Sequence, residues 1–164
     1  MNLYLSKNAY KNCVTEDLWE SLESVSGKPI GEVMKTWTKQ KGFPVITVSA
    51  QQQGENVELT LHQEKFCADG TLPPSDAGAQ WMVPIEVITS KSPKEPVVKE
   101  LMKGSDAKIT IPGPFSPTDW IKLNPGATSF YRVQYSSDML LQLLQGYDVS
   151  WSSSPVHNFL FLLM

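Results

Sequence analysis

The hydrophobic period of this chain changes at Pro44. Before it, apolar residues recur at helical spacing; over 44–135 they recur at every second position in short runs broken by turn signals. Strand after strand with no helical pattern between them predicts two packed sheets, an antiparallel β-sandwich. The clearest run alternates Val57, Leu59 and Leu61 with Glu58, Thr60 and His62. Residues 45–48 form a compact strand before it, across a turn at 51–56 that contains Gly54. The second strand can run on through Gln63 to Cys67 with a bulge. Trp81, Val83, Ile85 and Val87 share one face of a third strand, with Met82, Glu86 and Ile88 on the other. Pro84 there predicts an edge position or a bulge, because proline cannot donate to a ladder. Residues 97–102 fit helix or strand and are assigned to strand by their neighbours. Ile109 and Ile111 continue the alternation, and 120–123 and 130–135 close the set.

Helices flank this region. Residues 2–11 suit a short helix. Thr15 is placed to cap a second, with Glu16 and Asp17 in its first turn where the dipole favours carboxylates, and Gly27 ends it. Pro29 suits the first turn of a third, which Gly42 and Pro44 stop. Leu18, Trp19, Leu22 and Val25 on one, and Ile30, Val33, Met34 and Trp37 on the other, are the stripes of an αα-hairpin too small to bury both. A last helix over 138–144 takes Ser136 or Ser137 as cap. The fold class is therefore mainly β with flanking helices: a helical part at 1–43, the sandwich at 44–135, and a truncated helical segment at 136–164 whose pattern is lost after residue 145.

Chemistry is hard to assemble from these residues. A net charge of −3 and a pI near 5.4 give no footprint for nucleic acid or an anionic membrane. The longest apolar run, at 159–164, is far short of a bilayer span, and residues 1–11 lack the basic leader and apolar core of a signal peptide. Cys13 and Cys67 are too few for a disulfide framework or a zinc site, which points to free thiols in the cytoplasm. His62 and His157 are separated by most of the sandwich, so neither belongs to a helical pair that shares a metal; His62 reads as a surface residue without a partner. Glu16, Asp17, Glu20 and Glu23 read as a solvated helix face, with neither a cation nor a pocket to give them acid–base work. Ser136, Ser137, Ser150, Ser152, Ser153 and Ser154 have no positioned base. Lys122 and Arg132 lie among Trp120, Phe130 and Tyr131. Those aromatics read as core or interdomain packing, and Arg132 as an ion-paired or snorkelling guanidinium. No catalytic, cofactor-binding or metal-binding residue is assigned.

Several ordered stretches nevertheless resemble one family. They are Thr15-Glu16-Asp17-Leu18-Trp19, Ser26-Gly27-Lys28-Pro29, Thr36-Trp37-Thr38-Lys39-Gln40-Lys41-Gly42-Phe43-Pro44 and Leu61-His62-Gln63-Glu64-Lys65-Phe66. Trp81-Met82-Val83-Pro84-Ile85, Trp120-Ile121-Lys122-Leu123-Asn124 and Phe130-Tyr131-Arg132-Val133-Gln134-Tyr135-Ser136-Ser137 continue the series. Over 1–144 the chain resembles the gluzincin, HExxH-type zinc aminopeptidases, most closely their cytosolic members. The resemblance implies the last helices of a catalytic domain, the small β-sandwich, and the first helix of a helical C-terminal domain. It also implies that the zinc ligands, the substrate-amine motif and the transition-state tyrosine lie upstream, so that zinc and peptide substrates belong to the intact enzyme and this stretch is a non-catalytic piece of it. The alternative is an independent interaction or regulatory sandwich. Ser129 stands where the family usually has glycine. Uncovered helix stripes predict self-association or capture by a partner.

Overall fold

A computed structural model describes residues 1–146; His157 and the apolar run at 159–164 lie outside the described residues. The chain divides into two compact units, Met1–Lys41 and a second from Gly42 onward.

The first unit contains α1 (Asn2–Lys7), α2 (Thr15–Ser26) and α3 (Ile30–Thr38). Thr15 is not the cap of α2. It is the first helical residue, and Val14 stands at the N-cap with its amide donating to Asp17 Oδ2 at 2.9 Å. The Asp17 carboxylate thus supplies the reciprocal half of a capping box, accepting the N-cap amide, while no N-cap side chain accepts an amide from the first turn. Gly27 is left-handed at φ 65°, as a helix terminator should be. Pro29 is the N-cap of α3, one residue before the first turn expected for it. Leu18, Trp19 and Leu22 of α2 and Val33, Met34 and Trp37 of α3 are all half-buried. Every fully buried apolar side chain among the described residues lies in the second unit.

That unit is the sandwich. Its strands are β1 (Pro44–Gln53), β2 (Asn56–Lys65), β3 (Val83–Thr89), β4 (Val98–Met102), β5 (Asp106–Ile111), β6 (Ile121–Leu123) and β7 (Arg132–Tyr135), followed by α4 (Ser137–Gly146). One sheet runs β5-β2-β1-β7 and the other β4-β3-β6. The β1–β2 hairpin is longer than the alternation alone suggests. Pairing is continuous from Pro44 opposite Lys65 to Gln53 opposite Asn56, with no bulge, and the turn shrinks to Gly54 and Glu55. Ile46, Val48, Val57, Leu59, Leu61, Ile109 and Ile111 from one sheet, and Val83, Ile85, Val87, Ile121 and Leu123 from the other, are buried and form the core.

Two pairings depart from the sequence reading. β7 lies parallel to β1, Val45 opposite Arg132 and Val48 opposite Tyr135, so the four-stranded sheet is mixed. The chain reaches β7 from β6 in the opposite sheet, and it enters beside β1 from the same end as Phe43. Pro84 sits on β3, the central strand of its sheet, and not on an edge strand. The position still spares the ladder. β6 pairs only with Val87–Thr89, and β4 covers Pro84 from the other side. Glu86 accepts from the Asn124 amide on the β6 side, while Val87 accepts from Val97 on the β4 side. By alternation, Pro84 directs the side that lacks an N–H beyond the end of β6 and away from β4, so no ladder bond is lost.

Ile88, on the outer face of β3, is buried with Trp120 and Leu143, and Tyr135 packs against them. Leu143 of helix α4 therefore explains why Ile88 is apolar on the outer face of β3. The Tyr135 hydroxyl accepts the Leu123 amide at 2.9 Å and fastens β7 to the facing sheet.

Asp119 ties the turn after β3 to the loop before β6. Its Oδ1 accepts Ser90 Oγ at 2.6 Å, and its Oδ2 accepts the Ser116 amide at 2.7 Å and Ser116 Oγ at 3.0 Å. Lys91 Nζ is 3.4 Å away. The Ser90 hydroxyl first, then the Ser116 amide, hold the carboxyl at about 2 instead of its ordinary 3.8. A depressed folded-state value stabilises above the unfolded one and ceases to do so as pH falls through the folded one. Asp119 should contribute up to about 2 kcal/mol near neutrality, reduced by solvent screening. Melting wild type and Asp119→Asn in parallel should show a gap that is constant above about pH 5 and closes towards about pH 2. A gap independent of pH would mean that the carboxylate is not the stabilising species.

Candidate functional site

Three groupings of polar or charged side chains gather enough chemistry to be weighed as sites. The first is on the outer face of the four-stranded sheet, where β-alternation puts His62 opposite Asp106 on β5 and opposite Thr47 on β1. His62 is exposed as expected, but it is not without a partner: Nδ1 lies 2.8 Å from Asp106 Oδ1. Ser105 Oγ donates to the other carboxylate oxygen at 2.6 Å. The Ser105 hydroxyl, and after it His62, hold the Asp106 carboxyl below its ordinary value. Sequence reading missed this pair because the two residues are 44 positions apart. No third ligand joins them. Among the described residues no group of three His, Cys, Asp or Glu side chains is placed to hold a metal ion.

The second grouping is the carboxylate face of α2, and here the expectation needs correcting. Glu20 Oε2 does meet a cation, Lys7 Nζ at 3.0 Å. Glu23 Oε2 accepts the Gly31 amide at 3.2 Å, supplying one of the acceptors that the start of α3 lacks. A cleft of about 360 Å³ also lies between the two helices, with Trp19, Glu20 and Glu23 on one side and Gly31, Lys35 and Lys39 on the other. Each carboxylate other than Glu16 has a local structural task. The cleft is a helix–helix seam with charged walls.

The third surrounds Arg132. Where β1 begins and β2 ends, the Phe66 amide donates to the Phe43 carbonyl at 2.9 Å. That bond brings the two rings into a stack, centroids 5.1 Å apart and 14° from parallel. Arg132, the first residue of β7, lays its guanidinium carbon 4.0 Å from the centre of the Phe66 ring and 5.5 Å from that of Phe43. Of the two readings, ion-paired or snorkelling, the first does not apply: no carboxylate stands within ion-pair distance of Arg132 among the described residues, and the cation is held by ring faces. Trp120 and Tyr131 are buried, as expected of core aromatics. Phe130 is not. It is 70% exposed and touches only the edge of the cluster, its centroid 5.0 Å from Phe43 and tilted by 60°. Its neighbours on the chain explain this: Asn124 holds the backbone at Ser129 and Tyr131 through bonds of 2.9–3.2 Å, so the Tyr131 ring turns inward and Phe130 turns out. The same bonds seat Ser129, at the position where the resemblance implies glycine, without a left-handed φ. Burial pushes the Tyr131 phenol well above its ordinary value and the Lys122 ammonium below its own.

Comparison with known proteins adds a second kind of finding. Over 156 residues the chain is 42% identical to a puromycin-sensitive aminopeptidase of Caenorhabditis elegans, which covers 95% of this chain and 16% of the relative. It is 33% identical over 161 residues to a glutamyl aminopeptidase of Mus musculus, covering 96% of this chain and again 16% of the relative. Aminopeptidase M1-C of Oryza sativa subsp. japonica is 39% identical over 144 residues, 85% of this chain and 16% of the relative. The chain thus spans about 16% of the length of these curated relatives. No family model matches it.

Proposed function

This chain is homologous, along 95% of its length, to one segment of the M1 aminopeptidases, and on that premise we propose that it is the non-catalytic β-sandwich portion of such an enzyme. In the intact enzyme, which removes N-terminal amino acids in peptide catabolism, the sandwich spaces the zinc-bearing catalytic part from a helical C-terminal part. The observation that carries this reading is the likeness to just 16% of each relative, in a stretch with two histidines more than 90 residues apart. Residues 1–43 then correspond to the helical end of the catalytic domain, 44–135 to the sandwich and 136–164 to the start of the helical domain. Cys13 and Cys67 are both unpaired, which supports a cytoplasmic setting. No helix among the described residues is long and apolar enough to cross a membrane.

The purified chain, incubated with an aminoacyl-coumarin substrate and analysed for metal, should show neither turnover nor stoichiometric zinc. One equivalent of tightly held zinc, with hydrolysis abolished by a chelator, would refute the assignment. The half-buried stripes of α2 and α3 carry a further expectation. Six large apolar side chains short of full burial favour self-association. Light scattering during size exclusion at tens of micromolar should find species above 18.3 kDa; a monodisperse monomer would show that the stripes suffice for each other.

A further inference from the structure

The geometry points to a docking surface on β7 for an extended acidic segment of another polypeptide, one that carries an apolar residue close to a glutamate. It goes beyond the scaffold reading and would exist whether or not the chain ever sits in a peptidase.

Three observations converge. Among the described residues β7 is the terminal strand of its sheet. The Ser136 amide donates inward to Val48 on β1 at 3.1 Å. By alternation Val133, one residue out of phase, directs its N–H and C=O to the open edge, where a further strand can pair. Arg132 is the second. Its guanidinium is clamped by the Phe66 and Phe43 rings and faces no carboxylate among the described residues. Stacking occupies the face of the group and leaves its N–H edges to an acceptor, which suits bidentate binding of a carboxylate. The third is Phe130, two residues earlier and 70% exposed beside the same cluster. Phe130 lies in the bend just before β7, so a strand laid along β7 with a glutamate against Arg132 brings a nearby apolar residue against the Phe130 ring. The charge selects the glutamate and the exposed ring selects the apolar neighbour.

The test uses the full chain and a fluorescein-labelled peptide with both termini blocked, Thr-Val-Thr-Leu-Thr-Glu-Thr, so that the side chain supplies the only carboxylate. Saturable binding in fluorescence anisotropy is expected, weakening with added salt. Glutamine in place of glutamate in the peptide, or Arg132→Gln in the protein, should weaken it about tenfold or more. Phe130→Ala, at an exposed position that leaves the melting temperature unchanged, should weaken it several-fold. In ¹⁵N spectra the Val133 amide should shift and gain exchange protection on saturation. Equal affinity for the glutamate and glutamine peptides, or a Val133 amide that does not respond at saturation, would overturn the proposal.

Discussion

Gln63→Leu is expected to destabilise the sandwich by about 3 kcal/mol, lowering its melting temperature by roughly 12–20 °C. Gln63 is 3% exposed, on the core face of β2 in line with Val57, Leu59 and Leu61. Its side chain uses both ends of the amide. Nε2 donates to the Trp81 carbonyl at 2.9 Å and the Gly104 carbonyl at 2.6 Å, and Oε1 accepts the Trp81 amide at 3.0 Å. The Gln63 main-chain amide adds a bond to Ser105 at 2.7 Å. One residue thereby joins β2 to the entry of β3 and to the turn between β4 and β5. Leucine fills the volume but takes three bonds from buried main-chain groups, each costing about 1–3 kcal/mol when no substitute is found. Gln63→Glu separates the hydrogen bonds from the packing. Its carboxylate would face two carbonyl oxygens, which raises its folded-state pKa above the unfolded one near 4.3. The variant should therefore be least stable above neutrality and recover as pH falls towards 5, where the protonated acid can donate to one carbonyl. Thermal melting of the three proteins between pH 5 and 8 decides it; a leucine variant as stable as wild type would mean that the amide is dispensable.

Gln63 also shows what a linear reading can and cannot reach. The period of β2 puts it on the buried face, and a polar residue at a core position is a signal that some partner exists. The partners lie 18 and 41 residues away, in a loop and a turn with no periodicity of their own, so nothing local names them. The existence of strands survives translation into three dimensions because side-chain alternation is a local property. Pairing does not, and that is why the parallel β1–β7 contact and the central place of β3 emerged only from the fold. Arg132 stands between the two cases. Its setting among aromatics was legible, but the rings that grip it are Phe43 and Phe66, brought in from the ends of a hairpin, while the adjacent Phe130 faces out. Likewise the α2 carboxylates were legible as a first-turn, dipole-favoured group, and their separate tasks at Val14, Lys7 and Gly31 were not.

Gly113→Ala is expected to be comparably damaging, by about 3 kcal/mol, at the upper end of what overpacking costs. After β5 the chain passes against the β1–β2 turn, and the Gly113 amide donates to Asn56 Oδ1 at 3.1 Å. A Cβ at Gly113 would overlap the Glu55 carbonyl oxygen outright and lie 3.2 Å from the Phe115 nitrogen. Both neighbours are main chain, so no rotamer change can make room; either the hairpin turn or the segment leading to β6 must move. Moving the turn disturbs Gly54, which holds a left-handed φ of 62° there. Moving the segment breaks the Asn56 bond. Gly78 is the matched control. It lies in the loop before β3, without a left-handed φ, and a methyl group added there would have nothing within 4 Å. Gly78→Ala should therefore be neutral or stabilising by up to about 1 kcal/mol through the unfolded state. Urea titrations should separate the two variants, with the midpoint of Gly113→Ala falling, that of Gly78→Ala holding or rising, and the slope unchanged. Coincident midpoints for the two would show that the passage after β5 yields freely and does not lean on the hairpin.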